Sequence, residues 1–210
     1  MNQTYVWFTS FMFLITRLLV VEKERENLLK KDERADKLDE VWDIYDENRQ
    51  LTGRKHLRGR KLGIGEYHLV VNALIFNVDG QILMQQRSFN KMSYPGIWTT
   101  ATGGSALTGE NSQQAIIREL SEELSLSVTP NQLQFVNSIQ YTDWIEDWFV
   151  VSTDISIRQL VYQRSEIEAI RWTTLKEAIK INNYNGVNDS TLLTKARALL
   201  FNNDKTNGHT

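Results

Sequence analysis

The chain has 210 residues, 24 Lys and Arg against 26 Asp and Glu, three histidines and no cysteine. A formal net charge of −2 and the lack of a large basic patch argue against a nucleic-acid partner. Without cysteine there is no disulfide, no thiolate metal site and no cysteine nucleophile, which fits a reducing, cytoplasmic setting. The length predicts one domain with material to spare.

Residues 1–38 read as an N-terminal helical extension. Residues 5–21 (YVWFTSFMFLITRLLVV) are strongly apolar but are broken by Thr9, Ser10, Thr16 and Arg17. They fall short of the roughly 20 residues of a membrane span. No basic stretch precedes them and no small-residue cleavage site follows, which argues against a cleaved signal peptide. Three readings stay open: a membrane anchor, a helix packed on the domain or a partner, and a non-native extension. Only this segment offers a route to a membrane. Residues 22–40 alternate in charge and read as an exposed helical linker.

A domain is expected over 39–201. Residues 40–46 (EVWDIYD) alternate like an edge strand and lead into a turn at Glu47-Asn48. The run 49–61 holds Arg49, Arg54, Lys55, Arg58, Arg60 and Lys61 without one acid. It reads either as a solvated loop or as a loop facing phosphate, with Arg58 and Arg60 as candidate substrate contacts. Residues 69–77 (LVVNALIFN) form a continuous apolar run, predicted as a buried strand. Asp79-Gly80 then turns the chain into a second strand over 81–87. A loop with a bend at Pro95-Gly96 follows, and Trp98 is expected in the core.

Next comes GSALTGENSQQAIIRELSEELSL, residues 104–126. Asn111 and Ser112 are N-cap candidates for a helix that runs to Leu124. On that helix Glu119, Glu122 and Glu123 share one face at i+3 and i+4 spacing, and Ile116, Ile117, Leu120 and Leu124 share the adjoining one. Ala115, one turn before Glu119, is expected to leave room for a ligand. By itself such an acidic face is most often merely solvated. As a site it suits a hard divalent cation, which prefers oxygen ligands.

Two more strands are expected over 134–141 and 148–157. Their connection carries Asp143, Glu146 and Asp147, with Trp144 and Trp148 available to stack or to pack. A short strand at 168–173, a helix at 175–181, a polar turn over 184–188 and a terminal helix over 190–201 follow, the last capped by Asp189. Residues 202–210 lack apolar anchors and are expected to be a disordered tail.

At fixed offsets, Gly104, Glu110, Arg118-Glu119-Leu120, Glu122-Glu123 and Leu126 resemble the box of the Nudix hydrolases, with Ser125 where that pattern has glycine. The resemblance implies an α/β/α sandwich around a mixed sheet. It also implies Mg²⁺ or Mn²⁺ bound by Glu119, Glu122, Glu123 and the Gly104 carbonyl, and a bracing pair Glu110–Arg118. Glu119, Glu122 and a loop carboxylate remain candidates for the general base. The resemblance also implies a loop carboxylate that completes the site around metal and substrate; Glu146 is the candidate, and an exposed acidic turn is the competing reading. Ser125 in a left-handed turn would cost on the order of 1 kcal/mol relative to glycine. The expected activity is metal-dependent hydrolysis of a diphosphate linkage in a nucleoside diphosphate derivative or a related small diphosphate. The expected assembly is a monomer or a homodimer.

Tyr67-His68, Phe76-Asn77 with Gly80, Gln85-x-Arg87-Ser88, Lys91 and Pro95-Gly96-x-Trp98 resemble the isopentenyl-diphosphate-isomerase-like branch. That isomerase carries an essential cysteine just before the box, where this chain has Thr99-Thr100-Ala101-Thr102. An unactivated threonine is a poor proton donor to carbon, so isomerisation is rejected. His68 matches an isomerase metal ligand and is expected here as a hydrogen-bonding structural residue. A non-catalytic Nudix binding module is the other alternative.

Overall fold

A computed structural model describes residues 39–187 and 189–201. The expectations for 1–38 and for 202–210 lie outside the described residues. Among the described residues no helix is long and apolar enough to cross a membrane.

The first two strands, β1 (Val41–Tyr45) and β2 (Leu51–Leu57), form an antiparallel hairpin of their own. The Asp46 carboxylate accepts from the Asn48 and Gln50 N–H groups at 2.9 and 2.8 Å, which turns the chain between them. This corrects the loop reading of 49–61, because most of that run is strand. With Leu only at its two ends and Thr-Gly-Arg-Lys-His between them, β2 shows no apolar–polar alternation, so its pairing with β1 was invisible in the sequence.

The main sheet is built on β3 (His68–Asn77), a ten-residue strand that is buried along almost its whole length. It pairs in parallel with β8 (Trp144–Thr153) from His68↔Trp144 to Asn77↔Thr153. On its other side it pairs antiparallel with β6 (Thr102–Ser105) and, at Phe76↔Ile82, with β4 (Ile82–Arg87). Antiparallel β7 (Gln134–Gln140) extends the sheet past β8, while β5 (Trp98–Thr99) and β9 (Ile167–Thr173) pair with β4. Parallel and antiparallel neighbours together make the sheet mixed, as expected.

Helices cover both faces. Leu69, Val71, Ala73 and Ile75 of β3 pack with Ile116, Leu120 and Leu124 of α1 (Ser112–Leu124). Leu74 and Phe76, which point the other way, pack with Ala178 of α2 (Leu175–Tyr184) and with Leu193 and Ala196 of α3 (Ser190–Phe201). A strand with apolar residues on both faces must be covered twice, which is why β3 reads as an unbroken apolar run. The terminal helix keeps its expected span, and α2 runs three residues further than expected.

Two expectations fail in detail. Ala115 lies fully buried in the α1 cluster, so its small size serves packing and leaves no opening on the acidic face. The turn before β8 is shorter than predicted, with strand from Trp144 onward, which places Glu146 and Asp147 within a strand.

Candidate active site

The acidic helix α1 begins with a capping box. The Asn111 side chain accepts from Gln114 N–H at 2.9 Å, and the Gln114 side chain accepts from Asn111 N–H at 3.0 Å. It ends at Ser125 with φ 51° and ψ 29°, the left-handed turn anticipated there. Between these ends the helix carries Glu119, Glu122 and Glu123 in three different environments.

Glu119 leans on the strand before the helix. A Cβ added to Gly104 would lie 2.5 Å from its Oε1, so the carboxylate needs a glycine at 104. At neighbouring Gly103 an added Cβ would stand 2.0 Å from the Val71 carbonyl oxygen, so β6 could not close on β3 with a larger residue there. The Arg118 guanidinium donates to Glu119 Oε1 at 2.8 Å, to both oxygens of Glu110 at 2.8 and 2.9 Å, and to the Ser105 carbonyl at 3.1 Å. Glu110 also accepts from Leu107 N–H at 2.8 Å. Arg118 and Glu110 thus tie the loop to the helix, in the geometry expected for a bracing pair. Burial pushes the Glu110 carboxyl up, yet the bonds from Arg118 and Leu107 hold it below its usual range. Burial also raises the Glu119 carboxyl, and Glu122 and Glu40 add to that against the pull of Arg118.

Glu122 is 43% exposed and 3.6 Å from the Arg118 guanidinium. Glu123 is 7% exposed, and its buried Oε2 has no hydrogen-bond partner among the described residues. Burial first, then the charges of Glu119 and Glu166, push its carboxyl up to about 8, against the pull of Lys91 and Arg87. A carboxylate in such a place is stable only when a proton or another cation neutralises it.

Two further segments meet at Glu123. Its carbonyl accepts from Gln163 N–H at 2.8 Å, at the turn that leads into β9. From that turn Glu166 forms an ion pair with Lys91, both side chains largely buried, and the Glu166 carbonyl accepts from Ser88 N–H at 2.9 Å. The cations nearest this carboxylate are therefore Lys91 and Arg87, from the β4 end and the loop after it. The sequence marked both through the Gln85-x-Arg87-Ser88 and Lys91 pattern but gave them no role.

The predicted phosphate contacts act on the box glutamates at most at one remove, Arg58 through Glu40, whose charge acts on Glu119. Arg58 pairs with Glu40 at 2.7 Å and lies 5.9 Å from the Trp42 ring centroid. Arg60 is exposed beyond the end of β2, with its carbonyl 2.9 Å from His56 Nε2. Neither arginine is among the charges acting on Glu119 or Glu123.

Glu146 is also displaced from its expected place. Ile145 and Phe149 belong to the α1 cluster and Trp148 and Val150 to the opposite one, so alternation points Glu146 away from α1. There it accepts from Asn72 Nδ2 at 2.7 Å and from Trp148 Nε1 at 3.0 Å. Burial raises its carboxyl against the bonds from Trp148, Tyr141 and Asn72, and no box glutamate acts on it. Trp148 is thus packed and bonded, while Trp144 stacks on Tyr141 at 4.4 Å.

His68 departs from expectation too. Its ring stacks on Trp42 at 4.1 Å, and its buried Nδ1 has no hydrogen-bond partner among the described residues. Burial, with the charges of His56 and Arg58, lowers it to about 4. The threonines before the box are spent on structure. Thr102 donates to Gln85 Oε1 at 3.2 Å, and Thr100 accepts from Asn182 Nδ2 at 3.0 Å.

Among the described residues, no three carboxylate or imidazole side chains already converge into a metal cage. Arg118 draws Glu119 and Glu122 toward itself, while Glu123 is buried apart from that guanidinium. The donor set nevertheless fits a hard divalent ion. It is all oxygen, it borders Gly104, and it includes one buried carboxylate oxygen that no described residue satisfies.

A family model described as the NUDIX domain matches residues 66–193. The chain is 39% identical over 138 residues to an uncharacterised Nudix hydrolase of Listeria monocytogenes, spanning 66% of this chain and 82% of that one. It is also 38% identical over 63 residues to the isopentenyl-diphosphate Delta-isomerase of Shigella flexneri, spanning 30% of this chain and 35% of the isomerase. In fold it resembles the crystal structure of DR0079 from Deinococcus radiodurans, with a TM-score of 0.61, 20% identity, and 75% of this chain and 99% of that one covered.

Proposed function

The chain belongs to the NUDIX family, and from that premise we propose that α1 carries the active site of a divalent-metal-dependent pyrophosphohydrolase. Its substrate is a nucleoside diphosphate derivative or a related small diphosphate. The observation that carries this reading is the buried oxygen of Glu123, which no described residue satisfies, flanked by Glu119 on its own helix, by Arg87 at the end of β4 and by Glu166 and Lys91 from loops. A carboxyl buried in this way keeps a proton until a cation replaces it, and its place beside Lys91 and Arg87 suits a site built to be completed by ligands.

Glu119, Glu122, Glu123 and the Gly104 carbonyl would hold Mg²⁺ or Mn²⁺. When bound, such an ion neutralises diphosphate oxygens and makes a bound water acidic enough to ionise near neutrality. Lys91 and Arg87 orient the diphosphate and offset its charge as the leaving group departs. Arg118, clamped by Glu110, keeps the loop and helix in register. A carboxylate takes the proton from the attacking water, and Glu166 joins Glu119 and Glu122 as a candidate because it stands close enough to act on Glu123. Glu146 has no such contact, and in this reading it serves the opposite face of the sheet. The lack of cysteine and the bonding of Thr100 and Thr102 support hydrolysis over isomerisation, since neither hydroxyl is aimed as an acid. A cytosolic enzyme fits the same lack of cysteine.

The test is product release from nucleoside triphosphates, dinucleotides, nucleotide sugars and isoprenoid diphosphates with Mg²⁺ or Mn²⁺. Glu123→Gln and Glu122→Gln serve as blanks. Turnover should fall by at least about 100-fold in each variant, with an unchanged circular-dichroism spectrum. Near-normal turnover in both variants would sink the mechanism. Silence across the panel, with metal binding confirmed, would favour a binding module instead.

A further inference from the structure

The loop joining β4 to β5, residues 88–97, faces two ways. Inward it sends Lys91, paired with Glu166 beside Glu123. Outward it presents Phe89, Met92 and Tyr94, which are 64%, 60% and 69% exposed. The loop is firmly tied at its base. Arg87 N–H donates to the Ile97 carbonyl at 2.9 Å, Gly96 N–H to the Arg87 carbonyl at 3.1 Å, and Gln86 Nε2 to the Gly96 carbonyl at 3.0 Å. Arg87 Nε adds a bond to the Ser93 carbonyl at 3.0 Å. The Phe89 ring lies over Gly96.

Side chains this exposed contribute little burial energy to the fold. Tyr94 moreover sits at φ 52°, a left-handed conformation that disfavours a bulky residue. An unusual backbone and clustered exposed apolar side chains on one well-bonded loop point to a ligand contact. The neighbouring chemistry decides which ligand. Phe89 is two residues from Lys91, so their Cα atoms lie within about 7 Å. A diphosphate held between Lys91 and the acidic helix would bring whatever it carries onto this rim.

We propose that Phe89 and Tyr94 bind the organic group of the diphosphate substrate, and that this group presents a flat aromatic or unsaturated apolar face. The inference rests on the hydrolase reading of α1 and adds the substrate class. Recognition here is by stacking and apolar contact, which tolerates varied groups.

Calorimetric titration of the full chain in Ca²⁺ tests it, with inorganic pyrophosphate, ADP and geranyl diphosphate as probes. At least one organic probe should bind about tenfold or more tightly than pyrophosphate. Phe89→Ser combined with Tyr94→Asn should erase most of that gain while leaving pyrophosphate affinity within about twofold. Which organic probe gains more identifies a nucleobase or a prenyl group as the source. The inference is overturned if the whole chain prefers neither organic probe, or if the double variant keeps the preference. It is also overturned if the variant loses pyrophosphate affinity in parallel, because the loop would then be only structural. Failure of pyrophosphate itself to bind would remove the hydrolase reading, and this inference with it.

Discussion

Two charged regions of this chain invite the same interpretation and behave in opposite ways. The β1–β2 hairpin gathers cations, and each one with a described ion pair is spent on an acid of the scaffold: Arg49 on Asp147, Arg54 on Glu66, Arg58 on Glu40. The α1 helix gathers anions, and one of them, Glu123, is buried with an oxygen that no described residue satisfies. Charge matched internally holds a fold in place. Charge left unmatched in a buried setting marks where a ligand must supply the balance.

The contrast breaks most visibly at the two sets of cations. Lys91→Met should raise KM for a diphosphate substrate by about 10- to 100-fold, since a phosphate contact flanked by low-dielectric surroundings is lost. Arg58→Ala should change kcat/KM by no more than about threefold, because Lys91 acts on Glu123 whereas Arg58 acts directly on neither Glu119 nor Glu123. Steady-state kinetics on the two variants side by side would reverse the assignment if Arg58→Ala were the more damaging.

A second test separates scaffold electrostatics from the site. His68 is lowered from 6.5 to about 4, with burial as the main cause. The unfolded chain therefore binds a proton that the folded chain refuses between these values. Stability from this residue is complete above about pH 6.5 and is lost as pH falls toward 4, up to about 3 kcal/mol. His68→Phe keeps a ring to stack on Trp42 and should flatten that limb in denaturant melts between pH 4 and 7. An unaltered limb would show that other groups cause it.

The smallest effect belongs to Ser125, whose φ of 51° suits glycine. Ser125→Gly should stabilise the protein by about 0.5–1 kcal/mol and leave turnover unchanged. A loss of stability in thermal melts would mean that the serine makes a compensating contact.

Much of this molecule was legible in the linear chain. The continuous run at 69–77 announced a strand covered on both faces, and the period of α1 announced its apolar and acidic faces, because burial imposes those patterns locally. The spacing of Gly104, Glu110, Arg118 and the three glutamates was also visible, and in the fold Arg118 bonds Glu110 while Glu119 lies against Gly104. The β2 strand was hidden, since its polar side chains carry no alternation and only pairing with β1 defines it. Ala115 misled because a small residue looks the same in a tight core as in an open site.

Sequence by itself therefore determined the family, the acidic helix and the strands that bury enough apolar surface to leave a periodic trace. Tertiary structure alone decided which charges serve which purpose. Strand alternation in β8 turned Glu146 away from the acidic helix, and the turn before β9 and the loop after β4 brought Glu166 and Lys91 together beside Glu123. Charge type is a property of a residue, but its partner depends on which distant segments the fold brings together. In a buried setting that pairing decides whether a charge is stabilised by the scaffold or left for a ligand to neutralise.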